Sequence, residues 1–161
     1  MKTEHELKRA LEAHGSAVRR VCFIHLKNRT DVEDVFQEIF LKYILYERSF
    51  ENDSHERAWL LRVAINQCKD LLKSYFRKRV TSLEDADNAS FSLKDEDKEL
   101  LDAILHLPEK YRDVIYLHYY EGYTAVEIAK MLGKRENTVY TWLTRARAKL
   151  KEMFGGEFFD E

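Results

Sequence analysis

Helix-breaking residues are almost missing from this chain, which has one proline and five glycines in 161 residues. With so few breaks and a charged fraction of 35%, the expectation is an almost entirely helical, soluble protein. No apolar run approaches the roughly 20 residues needed to cross a bilayer. The charged opening MKTEHELKRA also lacks the apolar core of a signal peptide. A cytoplasmic protein without membrane insertion is therefore expected. Cysteine is scarce too: Cys22 and Cys68 both sit in apolar helical patterns, where a thiol behaves as a small hydrophobe, and no structural disulfide is expected. There is no glycine-rich phosphate loop and no nucleophile–base pair. Nor do His25, His55, His106 or His118 belong to a Cys/His set with ligand spacing. No catalytic residue, cofactor or metal is expected, and an enzyme is the weakest reading.

What the chain does have is segregated charge. The total is only −2, yet Met1 to Arg79 carries 16 basic and 12 acidic residues, Glu84 to Glu99 has 2 and 7, and Lys134 to Lys151 has 6 and 1. Two basic blocks flank an acidic one, and it is local charge that meets a phosphate backbone. The acidic block lacks convincing periodicity and reads either as a flexible linker or as an ordinary solvated loop.

The segment Thr124 to Met153 reads as a helix-turn-helix. Thr124 and Glu127 have capping-box spacing, Ile128, Met131 and Leu132 form a short buried stripe, and Gly133 can take the left-handed conformation of a turn. Val139, Leu143, Ala146 and Leu150 resume the helical period. The other face carries Arg145, Lys149 and the turn residues Lys134 and Arg135, with Thr138, Tyr140 and Thr141 offering hydrogen bonds, a set suited to groove edges and phosphates. The bland alternative is a solvated helix whose cations suit its carboxyl end.

Three further helices are expected before the acidic block. The first runs from Leu7 to about Leu26. The second opens at Asp31 and carries an apolar stripe from Val32 to Ile44, opposite a polar face of Asp34, Gln37, Glu38, Leu41 and Lys42. The third runs from about Arg57 to Arg79, after a loop SFENDSHE. At 100° per residue, Arg62, Asn66, Lys69, Lys73 and Arg77 share one sector, while Leu60, Ala64, Cys68, Leu71, Leu72 and Tyr75 lie opposite. Phe50 and Trp59, near Arg48 and Asn52, suggest a platform for unstacked bases. Trp59 reads equally well as an anchor in the core.

Taken in order, Asp31-Val-Glu-Asp-Val-Phe-Gln-Glu-Ile-Phe-Leu, Trp59-Leu-Leu-Arg-Val-Ala-Ile-Asn, Leu107-Pro-Glu-Lys-Tyr-Arg and the closing Arg145-Ala-Arg resemble a bacterial RNA polymerase sigma factor. The family is sigma-70, and the group is the small extracytoplasmic-function (ECF) type. That resemblance implies an all-α fold of two small helical domains: residues 1–79 as region 2, an acidic linker over 80–99, and residues 100–161 as region 4. It implies core polymerase as partner, gripped through Asp31, Asp34, Gln37, Glu38 and Leu41. It implies promoter DNA in two forms. Single-stranded non-template DNA at the minus-ten element would meet Arg48, Phe50, Asn52, Trp59, Arg62, Asn66, Lys69, Lys73 and Arg77. Duplex at the minus-thirty-five element would meet Arg135, Asn137, Thr138, Tyr140, Thr141, Arg145, Arg147 and Lys149. The resemblance further implies docking of the Pro108–Tyr120 helix on the polymerase flap, an acidic linker that imitates transcript in the RNA exit channel, and an anti-sigma factor as regulator. Where the family's recognition helix commonly carries two cations, this chain has Tyr140 and Trp142, and Trp142 is expected to pack against the domain. A stand-alone helix-turn-helix regulator is the alternative, but it leaves the basic third helix and the polar Asp34 face without a task.

Overall fold

The computed structural model describes residues 1–78 and 95–155, with side chains undescribed at 76–78, 95–98 and 100. The described residues fall into two compact units, one within Met1–Ser90 and the other within Phe91–Glu161. Among them there is no strand, and no helix is long and apolar enough to cross a membrane.

The first unit packs three helices against one another: α1 (Glu4–Leu26), α2 (Arg29–Leu45) and α3 (Asp53–Lys78). Each starts earlier than periodicity alone suggests, because a polar side chain caps it. Thr3 and Glu6 form a reciprocal capping box at 2.9 and 3.0 Å, which begins α1 at Glu4 rather than Leu7. Asn28 accepts from the Asp31 amide at 2.9 Å, which begins α2 two residues before Asp31. Asn52 accepts from the His55 amide at 2.8 Å, so the last four residues of SFENDSHE are helix and not loop. The connecting loop is thereby reduced to residues 46–52.

The stripes meet in one core. Val18, Val21, Cys22 and Ile24 of α1, Val35, Ile39 and Tyr43 of α2, and Leu60, Leu61, Ala64, Ile65 and Cys68 of α3 are all buried. Each large aliphatic side chain there contributes about 1.5–3 kcal/mol by leaving water. Both cysteines are buried in this core, where the apolar patterns around them place them.

The second unit comprises α4 (Asp95–Leu105), α5 (Glu109–Ile115) continuing as a π-helical turn (Tyr116–Tyr120), α6 (Ala125–Leu132) and α7 (Glu136–Phe154). Residues 95–99, expected in the linker, belong to α4. An acidic composition that suggests a linker also suits the amino end of a helix, whose dipole favours carboxylates. Residues 80–94 of the expected linker lie outside the described residues. Arg112 ties α5 to the end of α4, donating to the carbonyls of Leu107 at 2.9 Å and Leu105 at 3.2 Å. The helix expected over Pro108–Tyr120 is present, widened by the π turn at its end. Thr124 and Glu127 form the expected capping box, and Gly133 ends α6 with φ +66°.

One polar chain crosses the first unit. Tyr43 of α2 donates to Glu56 of α3 at 2.8 Å, and the other Glu56 oxygen lies 3.1 Å from Nε2 of His14 on α1. Arg57 Nη1 stands 3.3 Å from His14 Nδ1 and donates to the Ala13 carbonyl at 3.3 Å. Guanidinium only donates, so Nδ1 accepts and the imidazole proton sits on Nε2, facing Glu56. Burial pushes the His14 pKa down, Arg57 adds to this, and Glu56 opposes it. The same burial, with the bond to Glu56, pushes the Tyr43 phenol up.

A folded-state pKa below the unfolded value means that the unfolded chain takes up the proton first on acidification. Stability supported by neutral His14 is therefore complete above about pH 6.5, histidine's ordinary value, and is lost as pH falls below it. In a Trp142→Phe chain, where Trp59 reports the first unit, urea stability should fall as pH is lowered from about 6.5, with a share from His14 of no more than about 1.4 kcal/mol per pH unit, the limit for one proton. His14→Gln should flatten that fall; an equal slope in both chains would remove His14 from the coupling.

Candidate nucleic-acid interface

Burial of one α3 stripe turns the opposite face outward. Arg62, Asn66 and Lys73 are exposed and Lys69 is half-buried, in the expected sector. Arg77 lies outside the residues whose side chains are described. Leu71, Leu72 and Tyr75 are half-buried at the far end.

The loop before α3 differs from an open aromatic platform. Phe50 and Trp59 are half-buried and join Tyr43 and Tyr46 in a four-ring cluster, with Phe50 5.5 Å from Tyr46 and 5.6 Å from Trp59, and Trp59 4.6 Å from Tyr46. The anchor reading of Trp59 thus describes its position. Asn52 commits its side-chain oxygen to the α3 cap. Arg48 is exposed. Between this loop and the start of α1 lies a cavity of about 320 Å³, lined by Phe50, Asn52 and Tyr43 and by charged groups of both signs, including Lys2, Arg9, Glu6 and Asp53.

His14, Asp53 and Glu56 bring possible metal-ligand atoms within 4.8 Å of one another, a grouping that the sequence reading of the histidines missed. Their chemistry is that of a hydrogen-bonded cluster. Nε2 of His14 carries its proton, Arg9 holds Asp53 at 2.5 Å, and Arg57 adds a second cation.

On α2, Asp34, Gln37, Glu38 and Leu41 share an exposed face. Leu41 is 57% exposed and Leu45, one turn on, 62%. Periodicity could have named Leu45 as well, since it lies four residues beyond Leu41. Glu38 accepts from Gln67, which in turn accepts from Lys42 at 2.6 Å. Asp31 departs from this exposed row. It is half-buried, its two oxygens accepting from Asn28 at 2.9 Å and from the Tyr75 hydroxyl at 2.7 Å, a bond that pushes the Tyr75 pKa up to about 12. Its observed work is to tie α2 to α3.

In the second unit, Val139, Leu143, Ala146 and Leu150 bury one stripe of α7. The exposed face carries Arg135, Asn137, Tyr140, Thr141, Arg145 and Lys149, with Thr138 half-buried at its margin. Thr144, seven residues after Asn137, is exposed on the same side and was not singled out by motif. Arg147 is half-buried and donates to the Tyr119 hydroxyl at 2.8 Å, so the fold already uses this cation. Trp142 is half-buried, with the Lys110 and Lys134 ammonium groups 5.9 and 5.8 Å from its ring centre. It packs against the domain as expected.

Comparison with known proteins accounts for both units. Residues 10–80 match Sigma-70 region 2, and residues 97–150 match Sigma-70, region 4. The chain is 31% identical over 141 residues to the ECF RNA polymerase sigma-E factor of Haemophilus influenzae, covering 77% of this chain and 75% of that protein. It is 29% identical over 135 residues to RNA polymerase sigma factor SigV of Bacillus subtilis, covering 83% and 81%. Among solved structures, the sigma factor RpoE of Bartonella quintana, bound to the anti-sigma factor NepR, superposes with a TM-score of 0.71 at 23% identity over 91% of this chain and 95% of that one. CnrH, bound to the cytosolic domain of CnrY, gives 0.67 at 26% over 94% and 88%. A stand-alone helix-turn-helix regulator is not favoured, because the region 2 match takes up the first unit. The chain belongs to the sigma-70 family of RNA polymerase sigma factors, in its ECF group, whose members direct promoter recognition and transcription initiation.

Proposed function

We propose that the three outward helix faces divide the work of initiation among them. The observation that supports this most directly is their differing chemistry. The α3 and α7 faces are cationic, whereas α2 shows Asp34, Gln37 and Glu38 beside two exposed leucines. Phosphate suits the first two, and a protein surface with complementary apolar and polar groups suits the third.

In this reading α2 docks on core polymerase through Asp34, Gln37, Glu38, Leu41 and Leu45, while Asp31 holds the docking helix in place. Arg62, Asn66, Lys69 and Lys73, with Arg48, Phe50 and Trp59, receive the non-template strand at the minus-ten element. The cavity beside Asn52 is the place for a flipped base. Opening the duplex costs a few kcal/mol of unpairing and unstacking per base, which is offset only by binding the single strand better than the duplex. In the minus-thirty-five duplex, Asn137, Tyr140, Thr141 and Thr144 lie toward base edges while Arg135, Arg145 and Lys149 hold phosphates. The helix containing Tyr111 and Arg112 docks the second unit on the polymerase flap. The protein works in the cytoplasm, catalyses no reaction itself, and is held in check by an anti-sigma factor, as NepR and CnrY accompany the two solved relatives.

Run-off transcription tests the reading as a whole. Core polymerase with fragments of the source genome should yield discrete transcripts only when this protein is added. Duplex binding without transcripts would favour a stand-alone regulator.

Two variants test its parts. Leu41→Asp, at a site that is 57% exposed, should leave the melting temperature unchanged and weaken core binding by about tenfold, about 1.4 kcal/mol. Undiminished binding would take α2 out of the interface. Arg145→Ala should weaken minus-thirty-five duplex binding and lower its salt slope by about one unit. A slope equal to wild type would show that this arginine meets no phosphate.

A further inference from the structure

The loop at residues 46–52 contains no helix or strand of its own; local bonds hold its two ends, the Tyr46 amide donating to the Tyr43 carbonyl and the Glu51 amide to His55 Nδ1, and its middle is braced from far away in sequence. The Lys2 amide donates to the Ile44 carbonyl at 2.9 Å. The Lys2 ammonium donates to the carbonyls of Tyr46 at 2.5 Å and Arg48 at 3.0 Å. It also stands 5.3 Å from the ring centres of Tyr43, Tyr46 and Phe50. One half-buried cation thus gathers two loop carbonyls and three of the four clustered rings, at separations of 44 and 46 residues. Ammonium has three donors and no acceptor, and ring faces and carbonyl oxygens are both partners it favours.

We infer that Lys2 is a positioning residue for promoter opening: it holds the loop in the shape that receives the unstacked strand, and although its side chain also lines the cavity, its ammonium is committed to the loop carbonyls and holds no phosphate. The inference rests on the minus-ten reading proposed above. Lys2 acts by keeping the competent loop conformation populated. If that population falls to about one-tenth, apparent affinity for the strand falls about tenfold. Because its ammonium is engaged by the loop, Lys2 releases no counterion from DNA, and the salt dependence of binding stays as it was.

The test uses holoenzyme assembled from core polymerase and the full chain. The probe is a fluorescent non-template oligonucleotide spanning the minus-ten region of a promoter from which wild-type holoenzyme initiates. Lys2→Met should bind it about tenfold more weakly. Its salt slope, core affinity and minus-thirty-five duplex affinity should match wild type. Lys2→Arg, which still donates to carbonyls and rests on rings, should restore binding. Undiminished affinity in Lys2→Met overturns the inference, since the loop then keeps its shape unaided. A slope lowered by about one unit also overturns it, making Lys2 a direct phosphate contact. Wild-type holoenzyme that binds no single strand would instead remove the minus-ten reading on which the inference stands.

Discussion

Everything the two units offer to a partner depends on how the core fixes the rotation of each helix about its axis. A helix whose apolar stripe is buried has only one way to face outward. In α3 the burial of Leu60, Leu61, Ala64, Ile65 and Cys68 directs Arg62, Asn66 and Lys73 to solvent, and in α7 Val139, Leu143, Ala146 and Leu150 do the same for Thr141 and Arg145. A rotation of 100°, one residue's worth, would drive a cation into the core, where an unpaired charge is far more costly than the several kcal/mol gained by burying a leucine or two. The binding surfaces are thus consequences of packing.

Division into two units adds a second constraint. A protein that reads a duplex and also captures a single strand needs different affinities for two forms of DNA. One rigid cationic face would not readily distinguish them, because phosphate contacts carry no sequence information. Separate helices relieve this conflict. The neutral side chains Asn137, Thr141 and Thr144 on α7 suit hydrogen bonds and methyl contacts to base edges, while α3 places its cations beside a loop braced by four aromatic rings. Tethering both to one polymerase raises the effective concentration of each at its element without any new contact.

Legibility in the sequence followed the range of the interaction. The α7 stripe, the Thr124–Glu127 box, the Gly133 turn and the cationic sector of α3 depend on residues within a turn or two of one another, and they stand where periodicity places them. The Thr3–Glu6 box has the same spacing as the one at Thr124 and could have been read from it; the apolar period drew attention to Leu7 instead. Asn52 illustrates a competition, since a residue able to contact a base can also cap a helix, and here it caps. The bonds of Asp31 to Tyr75, His14 to Glu56 and Lys2 to the loop span 42 to 46 residues and appear only once three helices have packed. No local pattern announces them. Phe50 and Trp59 were legible as aromatic residues beside cations, but their mutual burial required Tyr43 and Tyr46 from another helix and its end.

Promoter opening through these faces requires the first unit to favour an opened strand over a closed duplex, and a ratio of two affinities measures that preference. Holoenzyme would be titrated with the minus-ten region of one of its own promoters, once as the non-template single strand and once as the duplex, at one salt concentration. The expected result is tighter binding to the single strand by about tenfold or more, enough to contribute at least about 1.4 kcal/mol toward opening. Equal affinities, or a preference for the duplex, would contradict it, because a protein without differential affinity cannot shift the equilibrium between the two forms.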